Sequence, residues 1–220
     1  MFKKTLSNLS GLFSISDEQA MWRVQMDGDP QAFGVLMERW HDRIYGLCAR
    51  MLNNTHSAED VTQEVFSRIF EKRKDYDPQR KFATWLWRIA VNRCYDELRK
   101  YQRRHEFSLE PDEDGQAFLP DQLIETVAPD QQAVAHEEAG VIRTALAQLP
   151  EIYRTVVILR HYQGLKLREI AEVLGVPEGT VNSRMAEALS QLSRVLEPQF
   201  PNYTPQRNRA EKRTREPLLI

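Results

Sequence analysis

Cysteine is scarce in this chain. There are two, Cys48 and Cys94. They form no CxxC pair and have no Cys/His spacing, which excludes the usual zinc frameworks. Each sits among apolar residues of an expected helix and reads as a buried, reduced thiol. So little cysteine fits a reducing cytoplasm, where the chain is expected to reside. Glycine is also sparse, at nine residues, and β-branched alternation is missing, so nearly every stretch reads with helical spacing. No run approaches the roughly 18 consecutive apolar residues of a membrane span, so direct membrane insertion is not expected. In Met1–Ser16, Ser7, Asn8 and Ser10 interrupt the apolar residues that follow Lys3 and Lys4, a poor core for a signal peptide. Five histidines, His41, His56, His105, His136 and His161, make no HExxH motif, and there is no nucleophile elbow or Walker loop. Acid pairs such as Glu137–Glu138 read as solvated helix faces. The chain is therefore not expected to be an enzyme, and no cofactor, metal or small-molecule substrate is expected.

What is present is segregated charge. The net charge is only −2, which taken alone argues against a nucleic-acid binder. Yet Arg68–Arg104 carries 12 Lys or Arg against five acids, while His105–Ile142 carries ten acids and no Lys or Arg. The tail from Thr204 is basic again. Segregation of this kind assigns different electrostatic tasks to different parts of one chain.

The periodicity predicts an all-α protein of two small helical domains joined by a flexible acidic linker. A lead-in, residues 1–16, is expected to be disordered. The first domain, residues 17–104, holds four helices. The first runs from Asp17 to Met26 and stops at Asp27-Gly28. The second starts near Asp29-Pro30, with proline in its first turn, and ends at Asn53-Asn54. The third starts at Ser57, where Ser57-Ala58-Glu59-Asp60 resembles a capping box. The fourth runs from about Phe82 to Arg103. Phe82, Trp85, Leu86, Ile89 and Ala90 form its apolar face, and Arg88, Asn92, Asp96 and Arg99 recur every four residues on another. The linker, residues 105–131, holds Pro111, Pro120 and Pro129 and little periodicity. The second domain, residues 132–198, begins with a helix from Gln131 to Gln148. The tail, residues 199–220, reads as loose.

Lys166–Leu196 carries the sharpest local signal. Ala171 is small where two helices cross, Gly175 sits where the chain must turn with positive φ, and Val181 can plug the space between the helices. That spacing is a helix-turn-helix, whose second helix is free to enter a DNA major groove. On that helix Val181, Met185, Leu189, Leu192 and Leu196 are expected to be buried, and Asn182, Ser183, Ala186, Glu187 and Ser190 exposed. Asparagine can pair with adenine through two hydrogen bonds, and glutamate can accept from the cytosine amino group. Lys166, Arg168 and Arg184 are candidate phosphate partners. The domain is not basic overall, so binding to duplex DNA alone is expected to be weak and salt-sensitive.

Three motifs in order carry a resemblance: Ala58-Glu-Asp-Val-Thr-Gln-Glu-Val-Phe66, Phe82-Ala-Thr-Trp-Leu-Trp-Arg-Ile-Ala-Val-Asn92, and Leu165 through Gly179-Thr-Val-Asn-Ser-Arg184. Together they resemble the extracytoplasmic-function (ECF) sigma factors of bacterial RNA polymerase. The resemblance implies that the first domain is sigma region two. Asp60, Gln63 and Glu64 would dock on the β′ clamp helices of core RNA polymerase, whose β subunit is a further expected contact. The fourth helix would read the minus-ten element as melted single strand, with Asn92 beside an extruded base. The loop Tyr76–Lys81 would form that base's pocket, and Arg80, Lys81, Trp87, Arg88, Arg93 and Asp96 would lie around it. An opened strand needs cations for its phosphates and rings or pockets for its bases. Trp85, on the apolar face, is expected to pack in the core.

The second domain would be sigma region four, reading the minus-thirty-five element through Thr180, Asn182, Ser183 and Glu187 with Lys166, Arg168 and Arg184. Here the chain departs from the family, which often has further arginines where this one has Glu187-Ala188-Leu189. The resemblance also implies promoter DNA and an anti-sigma factor as partners. It would thread the linker through the polymerase, where acidic charge would mimic nucleic acid. The competing reading is a helix-turn-helix regulator that does not act as a sigma subunit, which would have no use for Asp60, Gln63 and Glu64.

Overall fold

The computed structural model describes residues 15–107 and 129–198, and among these there is no strand. Helix α1 (Asp17–Asp27) starts from a capping box in which the Ser16 hydroxyl accepts from the Gln19 amide and the Gln19 side chain accepts from the Ser16 amide. Two otherwise orphaned donors are thereby satisfied. The helix ends on Gly28, whose φ of 65° belongs to the left-handed region. Helix α2 (Pro30–Leu52) has proline in its first turn and Asp29 as its cap, and it stops at left-handed Asn53. Helix α3 (Thr55–Glu71) is followed by a 3₁₀ turn (Arg73–Asp75). Helix α4 spans Phe82–Phe107.

The start of α3 corrects the sequence reading. The cap is Asn54, not Ser57. The Asn54 side-chain oxygen accepts from the Ser57 amide at 2.8 Å, and the helix already runs from Thr55. Asparagine and serine cap comparably well, so local sequence offers two registers and the chain takes the earlier one. Helices also overlap both ends of the expected linker. Helical structure continues past Arg103 to Phe107, and α5 (Pro129–Gln148) begins two residues before Gln131. The remainder of the expected linker, 108–128, the lead-in through residue 14 and the tail 199–220 lie outside the described residues.

In the second domain, α6 (Glu151–Val157) widens into a π-helical turn (Ile158–Tyr162). Helix α7 (Leu167–Leu174) ends on Gly175 at φ 66°, and α8 (Glu178–Leu196) follows after Pro177. The Gly175 and Val176 amides donate to the Ala171 carbonyl, and Val181 is fully buried beneath the turn. This is the helix-turn-helix geometry that Ala171, Gly175 and Val181 predict. On α8 the buried line runs through Val181, Met185, Ala188 and Leu192, while Leu189 is 48% exposed, contrary to expectation. Steps of four residues drift 40° around a 3.6-residue helix, so 181 and 189 part company. Alternating steps of four and three hold one face.

The two domains are packed together. One continuous apolar core contains Ile44, Val65 and Leu86 of the first and Ile158, Ile170 and Val173 of the second. Helix α4 lies against α7, and α2 lies against α5, α6 and the π turn. Arg154 fastens the seam: it donates to Met51 O at 2.6 Å, near the end of α2, and to Ala147 O and Leu149 O at 2.7 and 2.9 Å, at the end of α5. A cation among carbonyls at two helix C-termini is favourably placed with respect to both dipoles. Cys48 and Cys94 are buried, as expected, with sulfurs 3.6 Å apart between α2 and α4.

The corrected cap is testable. Asn54→Ala should lower stability by about 1 kcal/mol in urea melts, whereas Ser57→Ala, whose amide and not its hydroxyl is used, should change it little.

Candidate nucleic-acid and polymerase interface

Helix α3 buries Val61, Val65 and Ile69 and turns Asp60, Gln63 and Glu64 outward. The three polar residues are thus presented on the exposed side of a helix whose other side is anchored in the core. Asp60 lies 3.9 Å from His56, one turn earlier. Gln63 lines a shallow apolar recess with Phe33, Met37, Phe66 and Phe70. Glu64 forms an ion pair with Arg93 of α4, which also reaches Asp96 at 3.2 Å. One expected polymerase-facing residue, Glu64, and two expected DNA-facing ones, Arg93 and Asp96, therefore meet in one network.

Helix α4 exposes Arg88 and Asn92 and half-buries Asp96. Two expected strand-contacting residues are committed elsewhere. Trp87 is 2% exposed, its ring 5.6 Å edge-on from Trp40 and covered by the Arg43 guanidinium at 5.7 Å. It is a core residue, because α2 crosses the side of α4 that periodicity leaves open. Arg93 is spent on Glu64 and Asp96, so its charge faces carboxylates and not an open surface. Trp85 packs against Tyr76 and Phe82, as expected.

The loop from Tyr76 to Lys81 precedes α4. Asp77, Pro78, Gln79, Arg80 and Lys81 are exposed, but Tyr76 is 2% exposed. Its ring meets Phe82 and Trp85, and its hydroxyl donates to Arg80 O at 2.7 Å. Burial, with the nearby carboxylates of Glu18, Asp77 and Asp17, pushes the Tyr76 phenol up to about 12.

The second domain already occupies part of this surface. Lys81 pairs with Glu169 at 3.1 Å, and the Arg88 guanidinium donates to Glu172 O and Val173 O at the end of α7. The Lys166 amide and then the Lys81 ammonium hold the Glu169 carboxyl below its usual range. Tyr95 donates to Thr155 at 2.8 Å. On α8, Asn182, Ser183 and Glu187 are exposed and Thr180 half-buried. The Ser183 hydroxyl donates to Gly179 O, and Glu187 accepts from Gln191. Lys166 and Arg168 are exposed at the start of α7. Arg184 is half-buried, and its charge acts on the Tyr95 hydroxyl across the seam. Among the described residues no cluster of His, Cys, Asp and Glu could hold a metal, and no helix is long and apolar enough to cross a membrane.

Comparison with known proteins agrees with this architecture. Sigma-70 region 2 matches residues 36–104, and Sigma-70, region 4 matches residues 139–192. The ECF RNA polymerase sigma factor SigW of Bacillus subtilis is 36% identical over 172 residues, covering 77% of this chain and 91% of that protein. The chain belongs to the ECF sigma factors. The RNA polymerase sigma-H factor of Pseudomonas aeruginosa is 33% identical over 183 residues, covering 83% of this chain and 94% of its own length. Among solved structures, CnrH in complex with the cytosolic domain of CnrY superimposes with a TM-score of 0.60 at 24% identity, over 83% of this chain and 97% of that one. The sigma factor RpoE of Bartonella quintana, in complex with the anti-sigma factor NepR, also gives 0.60, at 21% identity over 75% of this chain and 96% of that one. At those identities the two structures establish the fold. The protein is an alternative sigma factor, a transcription initiation factor built of regions two and four.

Sequence reading missed the residues that support the loop of this sigma factor. Gln25 of α1 donates to Tyr76 O at 2.8 Å and to Lys74 O at 3.3 Å, and Glu18 accepts from the Phe82 amide at 3.2 Å. These partners are about fifty or more positions apart in sequence, so no local pattern marks them. The only sequence trace of Glu18 is an acid in the first turn of a helix, which macrodipole arguments already explain.

Two outcomes follow. Trp87→Ala should cost about 3–5 kcal/mol of stability in urea melts, as a buried ring in the core of region two. For Tyr76 the folded state favours the neutral phenol, whose value lies above the usual 10. Its contribution to stability is therefore fully present below pH 10 and is lost as pH rises toward and through 12. The difference in urea midpoint between wild type and Tyr76→Phe should shrink across that window.

Proposed function

We propose that this sigma factor directs core RNA polymerase to a particular set of promoters by binding alone. Region two docks on the β′ clamp helices through Asp60, Gln63 and Glu64. It captures the melted minus-ten strand with Asn92, the loop Tyr76–Lys81 and the cations Arg80, Lys81 and Arg88. Region four reads the minus-thirty-five duplex through Asn182, Ser183 and Glu187, with Lys166 and Arg168 on phosphates. The observation that carries this reading is the adjacency, within one rigid core, of an exposed polar ridge on α3 and an exposed cationic surface on α4. No bond is made or broken. Melting is driven by binding the single strand better than the duplex.

Lys81 and Arg88 touch region four in the closed arrangement. Strand binding and closure therefore compete for the same cations, and polymerase docking has to part the two regions. CnrH is found in complex with the cytosolic domain of CnrY, and the sigma factor RpoE in complex with the anti-sigma factor NepR. An anti-sigma factor that holds this chain closed would exploit the same competition. The work is done in the cytoplasm, beside polymerase.

Run-off transcription with core polymerase and a promoter library tests the reading. Asn92→Ala should slow opening at every promoter used, and Asn182→Ala should change upstream preference, each by about 5-fold to 100-fold per lost base contact. Failure of the wild-type protein to make core polymerase start at any new template defeats it. Tight binding to promoter duplex without polymerase would instead favour the regulator.

A further inference from the structure

An exposed loop that must accept one base and refuse three has to hold its shape before the base arrives. Otherwise the cost of ordering it is paid at binding and discrimination suffers. The loop Tyr76–Lys81 is nearly all exposed on its outer side, yet its backbone is fastened from beneath. At its entrance the Gln25 amide donates to Lys74 O and Tyr76 O at 3.3 and 2.8 Å. Across it the Tyr76 hydroxyl donates to Arg80 O at 2.7 Å. Within it, Arg80 N donates to Asp77 O at 3.0 Å, and Asp77 Oδ1 accepts from Gln79 N at 3.0 Å. At its exit the Phe82 amide donates to Glu18.

The Tyr76 ring is clamped between Phe82 and Trp85, with centroids 6.0 and 5.2 Å away. Its hydroxyl is therefore a fixed post to which the far side of the loop is tied. The phenol stays protonated, and so remains a donor, at any physiological pH.

We propose that Gln25 and Tyr76 are positioning residues that set the shape of the Tyr76–Lys81 loop and, through it, which unpaired base the sigma factor accepts. The inference rests on the reading of this loop as the base-capturing element. Gln25 lies in α1, ahead of the matched region-two segment that begins at residue 36. Promoter selectivity thus depends in part on a helix that touches no base. Both side chains act on loop backbone.

The test uses the full chain bound to core polymerase. A fluorescent adenine analogue is placed in turn along the minus-ten element of the non-template strand, to find the position whose signal rises on opening. The four natural bases are then compared there by opening rate. Tyr76→Phe removes only the hydroxyl, and Gln25→Met removes only the amide at nearly constant volume. Each should shrink the ratio between the preferred base and the others by about threefold to tenfold, the range expected for one hydrogen bond. Core-polymerase affinity should stay close to wild type, and any fall in thermal midpoint should be no larger than the loss of one hydrogen bond accounts for.

A purely structural role would slow opening equally for all four bases and leave the ratio between them unchanged. An unchanged ratio in both variants overturns the proposal, whatever happens to stability. If the wild-type protein opens DNA but shows no base preference at any minus-ten position, it is the base-capture reading that fails, and the proposal with it.

Discussion

The structure depends on an aromatic cluster at the head of α4. Tyr76, Phe82, Trp40 and Trp87 meet edge to face, with Trp85 tilted against Tyr76 and Phe82 and the Arg43 guanidinium over both Trp40 and Trp87. Rings of this size bury the most apolar surface per residue, and their quadrupoles favour this edge-on geometry. The cluster joins α2, α4 and the loop between α3 and α4. It therefore decides three things together: the position of α4, the rotation of α4 that puts Asn92 and Arg88 outside, and the shape of the loop beside them. The candidate interface for nucleic acid is the outer skin of this packed core, which fixes its shape.

Charge on this core is shared and not free. Basic residues on and around α4 have assigned partners: Arg93 with Glu64, Lys81 with Glu169, Arg88 with the carbonyls that end α7. Exposed ion pairs contribute about 0–1 kcal/mol each, so the Lys81–Glu169 pairing can be exchanged for a phosphate at little cost. The seam held by Arg154 is different. Burial holds that guanidinium below its usual value, and it donates to three backbone carbonyls at two helix ends. Loss of the surface pairs and opening of the seam are thus steps of unequal difficulty. In the proposed mechanism, where the two regions part on polymerase, an easy first step is an advantage.

Much of this was legible in the residues. The helix-turn-helix was, because its constraints are local: one small residue, one glycine with positive φ and one apolar plug at fixed spacing. The outward side of α3 was too, since Val61, Val65 and Ile69 fix its inward side by period alone. Where two local signals were of similar strength, as with Asn54 and Ser57, the reading chose wrongly. The burial of Trp87 and the pairing of Arg93 were not legible for another reason. A helix in the middle of a bundle has more than one buried side, and periodicity reports only the most apolar one. The support of the loop by Gln25 was invisible, because a hydrogen bond between positions 25 and 76 leaves no trace in either neighbourhood.

By itself, then, the sequence determined what arises within a few turns of chain: which segments are helical, where they start and stop within a few residues, which face of each is apolar, and the three ordered motifs that mark the family. Only the tertiary structure decided which cations remain available, which aromatic rings are core, and that regions two and four share one apolar interior. Those outcomes depend on which helices meet across long separations. That choice is made by the summed burial and pairing of many side chains, a quantity no single stretch of sequence contains.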